Sequence, residues 1–118
     1  QKVYFDRTMS GARLRALLTA LEAVAPEDER LPFVREWAER MGDRGETMTT
    51  RVSVADHLEA RDLALRAHAS QVDPDSRFFF WPNDLLRQTW PTDDYELVRS
   101  RVRVDGQEDD LFAGVEED

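Results

Sequence analysis

The stretch SVADHLEARDLALRAHASQVDPD, from Ser53 to Asp75, decides the fold. Ser53 carries a hydroxyl able to accept a hydrogen bond from a free helical N–H, Asp56 stands where a capping box takes an acid, and Pro74 stops the run. The reading is one long capped helix. At 100° per residue, Val54, His57, Leu58, Arg61, Ala64, Leu65, His68, Gln71 and Val72 share a face. Arg61, His68 and Gln71 interrupt an otherwise apolar stripe, and polar groups placed in a core cost free energy unless something hydrogen-bonds them. Their partner is either structural or functional.

Working outward toward the start, Thr49 to Val54 (TTRVSV) alternates in the manner of a strand and feeds that helix. Gly42 and Gly45 mark a turn over Asp43 to Thr47. Phe33, Val34, Trp37, Ala38 and Met41 predict a shorter helix ending at Gly42, with Trp37 as a packing residue. Ser10 offers a cap, and Leu14, Leu17, Leu18, Leu21 and Val24 repeat at helical spacing as far as Pro26. An acidic loop, PEDER from Pro26 to Arg30, separates the two. Lys2 to Phe5 (KVYF) is β-branched and aromatic, the pattern of a short strand.

Toward the end, Phe78, Phe79, Phe80 and Trp81 form an aromatic cluster. On a strand its rings would alternate between faces, so at least one is expected in a cleft or at an interface; ordinary packing is the other reading. A short helical piece follows from Asn83 to Gln88, then a turn at Trp90-Pro91-Thr92. Tyr95 to Val104 (YELVRSRVRV) predicts a strand with Glu96, Val98, Ser100, Val102 and Val104 on one side. Asp105-Gly106 is a turn signal, and Leu111-Phe112 is expected to tuck back before the tail.

Composition narrows the function classes. With 118 residues and 41% hydrophobic content the chain suits one domain with one core. Its net charge of −9, from 25 acidic against 16 basic residues, argues against nucleic acid, whose phosphates require basic patches. All the cations but Lys2 are arginine, a bias read as coding preference. No apolar run approaches the length of a membrane span, so no membrane partner is expected. The absence of cysteine excludes disulfides and thiolate metal sites and fits a reducing cytoplasm. Because the chain begins at Gln1 and enters directly into a strand-like run, it is expected to be a piece of something longer.

Catalytic signatures are missing: no phosphate-cradling glycine loop, no HExxH and no Gly-x-Ser-x-Gly turn. The two histidines, His57 and His68, would stand roughly 16 Å apart along one helix at 1.5 Å per residue, too far to chelate one ion. His68 remains open between a single ligand, a proton carrier, a hydrogen-bonding group and a satisfied core imidazole.

Three strings carry a resemblance: RDLALRAHASQVDPD (Arg61 to Asp75), WPTDDYELVRSRV (Trp90 to Val102) and DDLFAGVEE (Asp109 to Glu117). In this order they resemble the C-terminal part of the LmbE-like family, and within it the mycothiol S-conjugate amidase branch. The family also holds the N-acetylglucosaminyl-inositol deacetylases. The resemblance implies an α/β fold, the C-terminal portion of a Rossmann-like LmbE-type domain, with two to three helices and short strands in residues 1–118. It also implies an actinobacterial, cytoplasmic enzyme that uses zinc to hydrolyse the amide between S-conjugated cysteine and glucosaminyl-inositol in detoxification.

The family's zinc ligands and general base lie in His-Pro-Asp-Asp and His-Pro-Asp-His segments, and neither string occurs here. No catalytic or metal residue carries over, no cofactor is expected in this chain alone, and the missing N-terminal half becomes an expected partner. His68 and Gln71, buttressed by Arg61, are then expected to face a mycothiol S-conjugate, with Phe79, Phe80 and Trp81 as an apolar wall for the S-linked group. A sugar deacetylase, a natural-product amidase and a non-catalytic binding module are the alternatives. Strand Lys2–Phe5, lacking partners, is expected to promote self-association.

Overall fold

The computed structural model describes residues 1–42, 47–68, 70–73, 75–76 and 79–116. The order is β1 (Lys2–Asp6), α1 (Gly11–Val24), α2 (Leu31–Met41), β2 (Thr50–Ser53), a 3-10 turn (Ala55–His57), α3 (Leu58–Ala67), α4 (Asn83–Thr89) and β3 (Thr92–Ser100). The α/β class is as expected. Among the described residues there are four helices rather than two to three, because the short piece at Asn83 is a full element. The strands form one sheet in the order β1-β3-β2, antiparallel at both junctions.

The core lies between the helices. Leu14, Leu17 and Leu21 of α1 meet Leu31, Val34 and Ala38 of α2, with Leu58, Trp81, Leu85 and Leu86 closing the cluster. Ser10 caps α1 as its position predicts, its Oγ accepting from the Arg13 amide at 3.1 Å. Val24, the last residue of the expected apolar face, is 70% exposed because the helix ends on it. Gly42 ends α2 at φ +57°, a conformation that a side chain disfavours, and its carbonyl abuts the position a Cβ on Gly11 would occupy.

The long helix expected over Ser53–Asp75 does not form. Ser53 is the last residue of β2, paired with Thr92, so its backbone belongs to the ladder and its hydroxyl caps nothing. The chain first closes a 3-10 turn, with the His57 amide donating to the Val54 carbonyl at 2.9 Å. Helix α3 then runs only from Leu58 to Ala67 and has one buried residue, Leu58. At its end the His68 amide donates to Leu65, while the amides of Gln71 and Val72 turn back onto the His68 carbonyl. The expected stop at Pro74 and the first aromatic, Phe78, lie outside the described residues, as do positions 43–46 of the expected glycine turn.

The last strand is displaced for a similar reason. It occupies Thr92–Ser100 instead of Tyr95–Val104, because partners exist only from Ser53 opposite Thr92 to Lys2 opposite Ser100. Beyond it the Ser100 hydroxyl bonds the Val102 backbone and turns the chain. On the side predicted to carry Glu96, Val98 and Ser100 the buried residue is Asp94, whereas Val98, where the register against β1 shifts, is 41% exposed. Only half of the Leu111-Phe112 pair tucks in: the Leu111 carbonyl accepts from the Tyr4 hydroxyl at 3.3 Å, whereas Phe112 is 74% exposed. Beside it, Glu108 is buried with Lys2 at 2.6 Å and bonded by Thr50 and Tyr4, and its backbone also pairs with β2.

Candidate functional site

A cavity of about 160 Å³ opens where α1, α2, α3, the segment before α4 and β3 meet. Its apolar lining comes from Met9, Trp37, Leu65, Trp81 and Leu86, and its charged groups are Arg13, Arg61 and Asp93. Each charge is placed by a local feature. The Ser10 cap sets Arg13 on the first turn of α1. Arg61 and Leu65, four residues apart, share a face of α3. Asp93 sits near the start of β3, opposite Val52.

The electrostatics of the three differ. Arg61 is held in a network: its Nη2 donates to Asp62 Oδ1 at 2.8 Å and to Asn83 Oδ1 at 3.3 Å, while Asn83 Nδ2 donates to Asp62 Oδ2 at 2.9 Å. Burial alone would raise the Asp62 pKa, but the bonds from Arg61 and Asn83 bring it below its ordinary value. Asp93 moves the other way. Burial pushes its carboxyl up, Asp6 adds to the push, and Arg13 and Arg61 oppose it without prevailing. Burial lowers the Arg13 pKa, which Asp93 counters and Arg61 reinforces. Arg13 Nε is buried with no hydrogen-bond partner among the described residues.

The residues singled out by sequence are divided by the fold. Arg61 and Trp81 line this cavity. His68 and Gln71 lie on the exposed turn after α3, neither lining it. Phe80 packs edge-on against Trp81 with ring centroids 4.8 Å apart, yet faces a second hollow of about 210 Å³ together with Phe79, Arg30, Asp75 and Ser76. Guanidinium groups cover both rings there, Arg30 at 4.5 Å from Phe80 and Arg66 at 4.2 Å from Phe79. Arg13, Asp93 and Trp37 are additions that sequence reasoning missed. One signal existed: a cation in the first turn of a helix that carries no acid there opposes the helix dipole.

The donor set for a metal can be tested directly. Among the described residues no three His, Cys, Asp or Glu side chains converge as an ion would require. The residues present therefore do not fit the zinc implied by the resemblance. The cavity can instead bind and orient a small ligand, with donors on one side, an acceptor on the other and an aromatic floor.

The helices and the antiparallel sheet make an α/β arrangement consistent with a partial LmbE-type fold. The chain matches a C-terminal part of mycothiol S-conjugate amidase and of 1D-myo-inositol 2-acetamido-2-deoxy-alpha-D-glucopyranoside deacetylase. It is 40% identical over 114 residues to the amidase of Streptomyces coelicolor, covering 97% of this chain and 39% of the relative. Against the deacetylase of Nocardia farcinica it is 38% identical, covering 93% of the chain and 38% of the relative. Against that of a Nocardioides species it is 32% identical, over 97% and 39%. The chain thus spans about 39% of the length of the first of these curated relatives. No family model and no solved structure matches it. No helix among the described residues is long and apolar enough to cross a membrane.

Proposed function

We propose that residues 1–118 are the C-terminal segment of a larger cytoplasmic hydrolase domain that cleaves the amide between an S-conjugated acetylcysteine and glucosaminyl-inositol, as in thiol-based detoxification. The observation that carries the reading is the convergence of Arg61 from α3 and Trp81 from the segment before α4 on one cavity. The identity to the amidase across 97% of the chain supports it.

In this reading the segment supplies a wall of the substrate cleft. Arg61 is held rigid by Asp62 and Asn83, so it presents its guanidinium to a ligand at little cost in side-chain entropy. Trp81 offers an apolar surface, extended by Phe80 and Phe79 toward a variable S-linked group. His68 and Gln71, on the exposed turn after α3, contact the sugar or inositol. Water adds to the amide carbonyl carbon, the C–N bond breaks, and the departing amine takes up a proton. Zinc would supply activation of that water in a parent enzyme, but no set of described residues here fits it, so the 118-residue piece alone is inactive in this reading.

The deacetylase relatives give a second reading, in which the acyl group removed is acetate. Incubating the full-length protein with a mycothiol S-conjugate and, separately, with acetamido-glucosyl inositol separates them. Release of S-conjugated N-acetylcysteine supports the amidase, whereas acetate release alone moves the assignment to the deacetylase. No hydrolysis by a natural polypeptide of 13.7 kDa would point to a binding module.

A further inference from the structure

The two edges of the sheet are treated differently. Along the outer side of β2 the Arg51 amide donates to the Glu108 carbonyl at 2.9 Å, and the Glu108 amide donates to Thr49 at 2.9 Å, so that edge is covered. Along the outer side of β1, no strand pairs among the described residues. An open edge presents N–H and C=O groups that template another strand, and proteins blunt it with proline, bulges or outward charges. β1 uses none of these. It has no proline, and where its register against β3 shifts, the extra residue is Val98 of β3, which leaves β1 itself regular. Lys2 does not guard the edge either, because its ammonium is held at 2.6 Å by Glu108 and its side chain is buried there.

The strand is its own complement. Laid antiparallel about Tyr4, KVYFD sets Lys2 against Asp6, Val3 against Phe5 and Tyr4 against its own copy. Opposite charges and apolar side chains then face each other, and both kinds of cross-strand pair are favourable. A parallel alignment would oppose Lys2 to Lys2 and Asp6 to Asp6. Alternation puts Val3 and Phe5 on one face, each about half exposed, and turns Lys2 and Tyr4 to the other, where both bond Glu108. On that second face a groove of about 310 Å³ lies beside the edge, between Gln1, Lys2 and Tyr4 on one side and Leu111, Phe112 and Val115 on the other. Because Tyr4 lines the groove and would stand on the axis, pairing brings two such grooves together.

We propose that β1 is a homodimer interface, in which two copies of the chain join edge to edge, antiparallel about Tyr4, and merge their three-stranded sheets into one. The same patch serves both copies, so one two-fold axis generates the contact. Growth stops at the dimer, since Glu108 already covers the β2 edge. Lys2 has three N–H donors; Glu108 and the Tyr4 hydroxyl take two, and the third goes to Asp6 of the second copy. Asp6 has the capacity to accept it, because only its Oδ1 is engaged, by the Thr8 amide. The interface is independent of the hydrolase reading.

The test uses the full-length protein in sedimentation and in thiol cross-linking. Residues 1–118 contain no cysteine, so thiols introduced in β1 are read without background from this segment. Val3→Cys and Phe5→Cys proteins are mixed, mildly oxidised and digested, and the linked peptides are identified by mass spectrometry. The register predicts the mixed link between positions 3 and 5 in excess over either like pair. Wild type should show a concentration-dependent dimer, and Phe5→Lys, shown by circular dichroism to be folded, should raise its dissociation constant about tenfold or more. Val98→Lys, exposed on the central strand away from the edge, should leave that constant within about twofold. A monomer at every concentration, a dimer indifferent to Phe5→Lys, or an excess of like-pair links would each overturn the interface. Val98→Lys disrupting the dimer as strongly as Phe5→Lys would replace edge pairing by stacking of faces and overturn it too. So would a cross-link from β1 to another segment of the same polypeptide, which would show the edge filled from within.

Discussion

The Trp90 indole donates through Nε1 to Oδ2 of Asp94 at 2.7 Å, tying the end of α4 to the start of β3. The other carboxylate oxygen accepts from the Thr92 hydroxyl at 2.7 Å and from Arg51 Nε at 3.3 Å, and the Arg51 guanidinium lies 4.4 Å from the centroid of the Trp90 ring. Asp94 is fully buried by this arrangement. Because side chains alternate along a strand, fixing Asp94 on one face turns Asp93 to the other, toward Arg13.

Removing the Asp94 carboxylate should therefore be costly at a distance. Asp94→Ala strands the donors of Trp90 and Thr92 and is expected to destabilise the protein by about 1–3 kcal/mol, with Asp94→Asn milder. Urea unfolding followed by Trp fluorescence measures this. It should also weaken ligand binding at the Arg13 cavity, since β3 loses the anchor that orients Asp93.

Two carboxyls give stability opposite dependences on pH. Asp93 has a folded-state pKa above its ordinary 3.8, so the native state binds more protons than the unfolded chain in the window above 3.8. Stability falls through that window as pH rises, and the deficit persists at neutral pH. Glu108 has a folded-state pKa below 4.5, burial being outweighed by the bonds from Lys2, Thr50 and Tyr4. Its contribution is present above 4.5 and is lost as pH falls through the folded value. Thermal melts from pH 3 to 7 should show Asp93→Asn raising the midpoint at pH 7 and having little effect near pH 3. Glu108→Gln should lower the midpoint at pH 7.

The core assignment is checked by a pair of leucines. Leu17 is fully buried, and Leu17→Ala is expected to cost about 2–5 kcal/mol. Leu63 of α3 is 71% exposed, and Leu63→Ala should stay within about 0.5 kcal/mol of wild type. Equal losses in denaturant melts would mean that α3 buries a face which the structure leaves open.

Self-association is predicted for the 118-residue chain taken alone. β1 does not lack a partner as expected, since it pairs with β3, but it is an edge strand of the sheet among the described residues, and Val3, Phe5 and Val98 are 50%, 52% and 41% exposed. Sedimentation should detect dimers at high concentration, and Phe5→Lys should suppress them. A monomer throughout would show that this edge and face do not drive pairing.

How much of this was legible follows the range of the interactions. The Ser10 cap and the Leu14/Leu17/Leu21 spacing are local, and α1, to which both belong, stands as read. Ser53 illustrates the failure: its capping chemistry was real, but a strand partner at Thr92 claimed the backbone first. The bounds of β3 likewise depend on where Lys2 and Ser53 end. Arg61 and Trp81 stood out as a polar interruption and an aromatic in excess. Arg13 and Asp93 are 80 positions apart and meet only because α1 packs near β3, so no window on the sequence contains both.

The central claim is the hydrolase reading with a ligand-binding wall in this segment. It is tested most directly by mass-spectrometric product analysis of the full-length protein and its Arg61→Ala variant with a mycothiol S-conjugate. The predicted result is release of S-conjugated N-acetylcysteine and glucosaminyl-inositol, with KM raised about tenfold or more in the variant. An intact conjugate after prolonged incubation with metal-loaded protein, or identical kinetics for the two proteins, would contradict it.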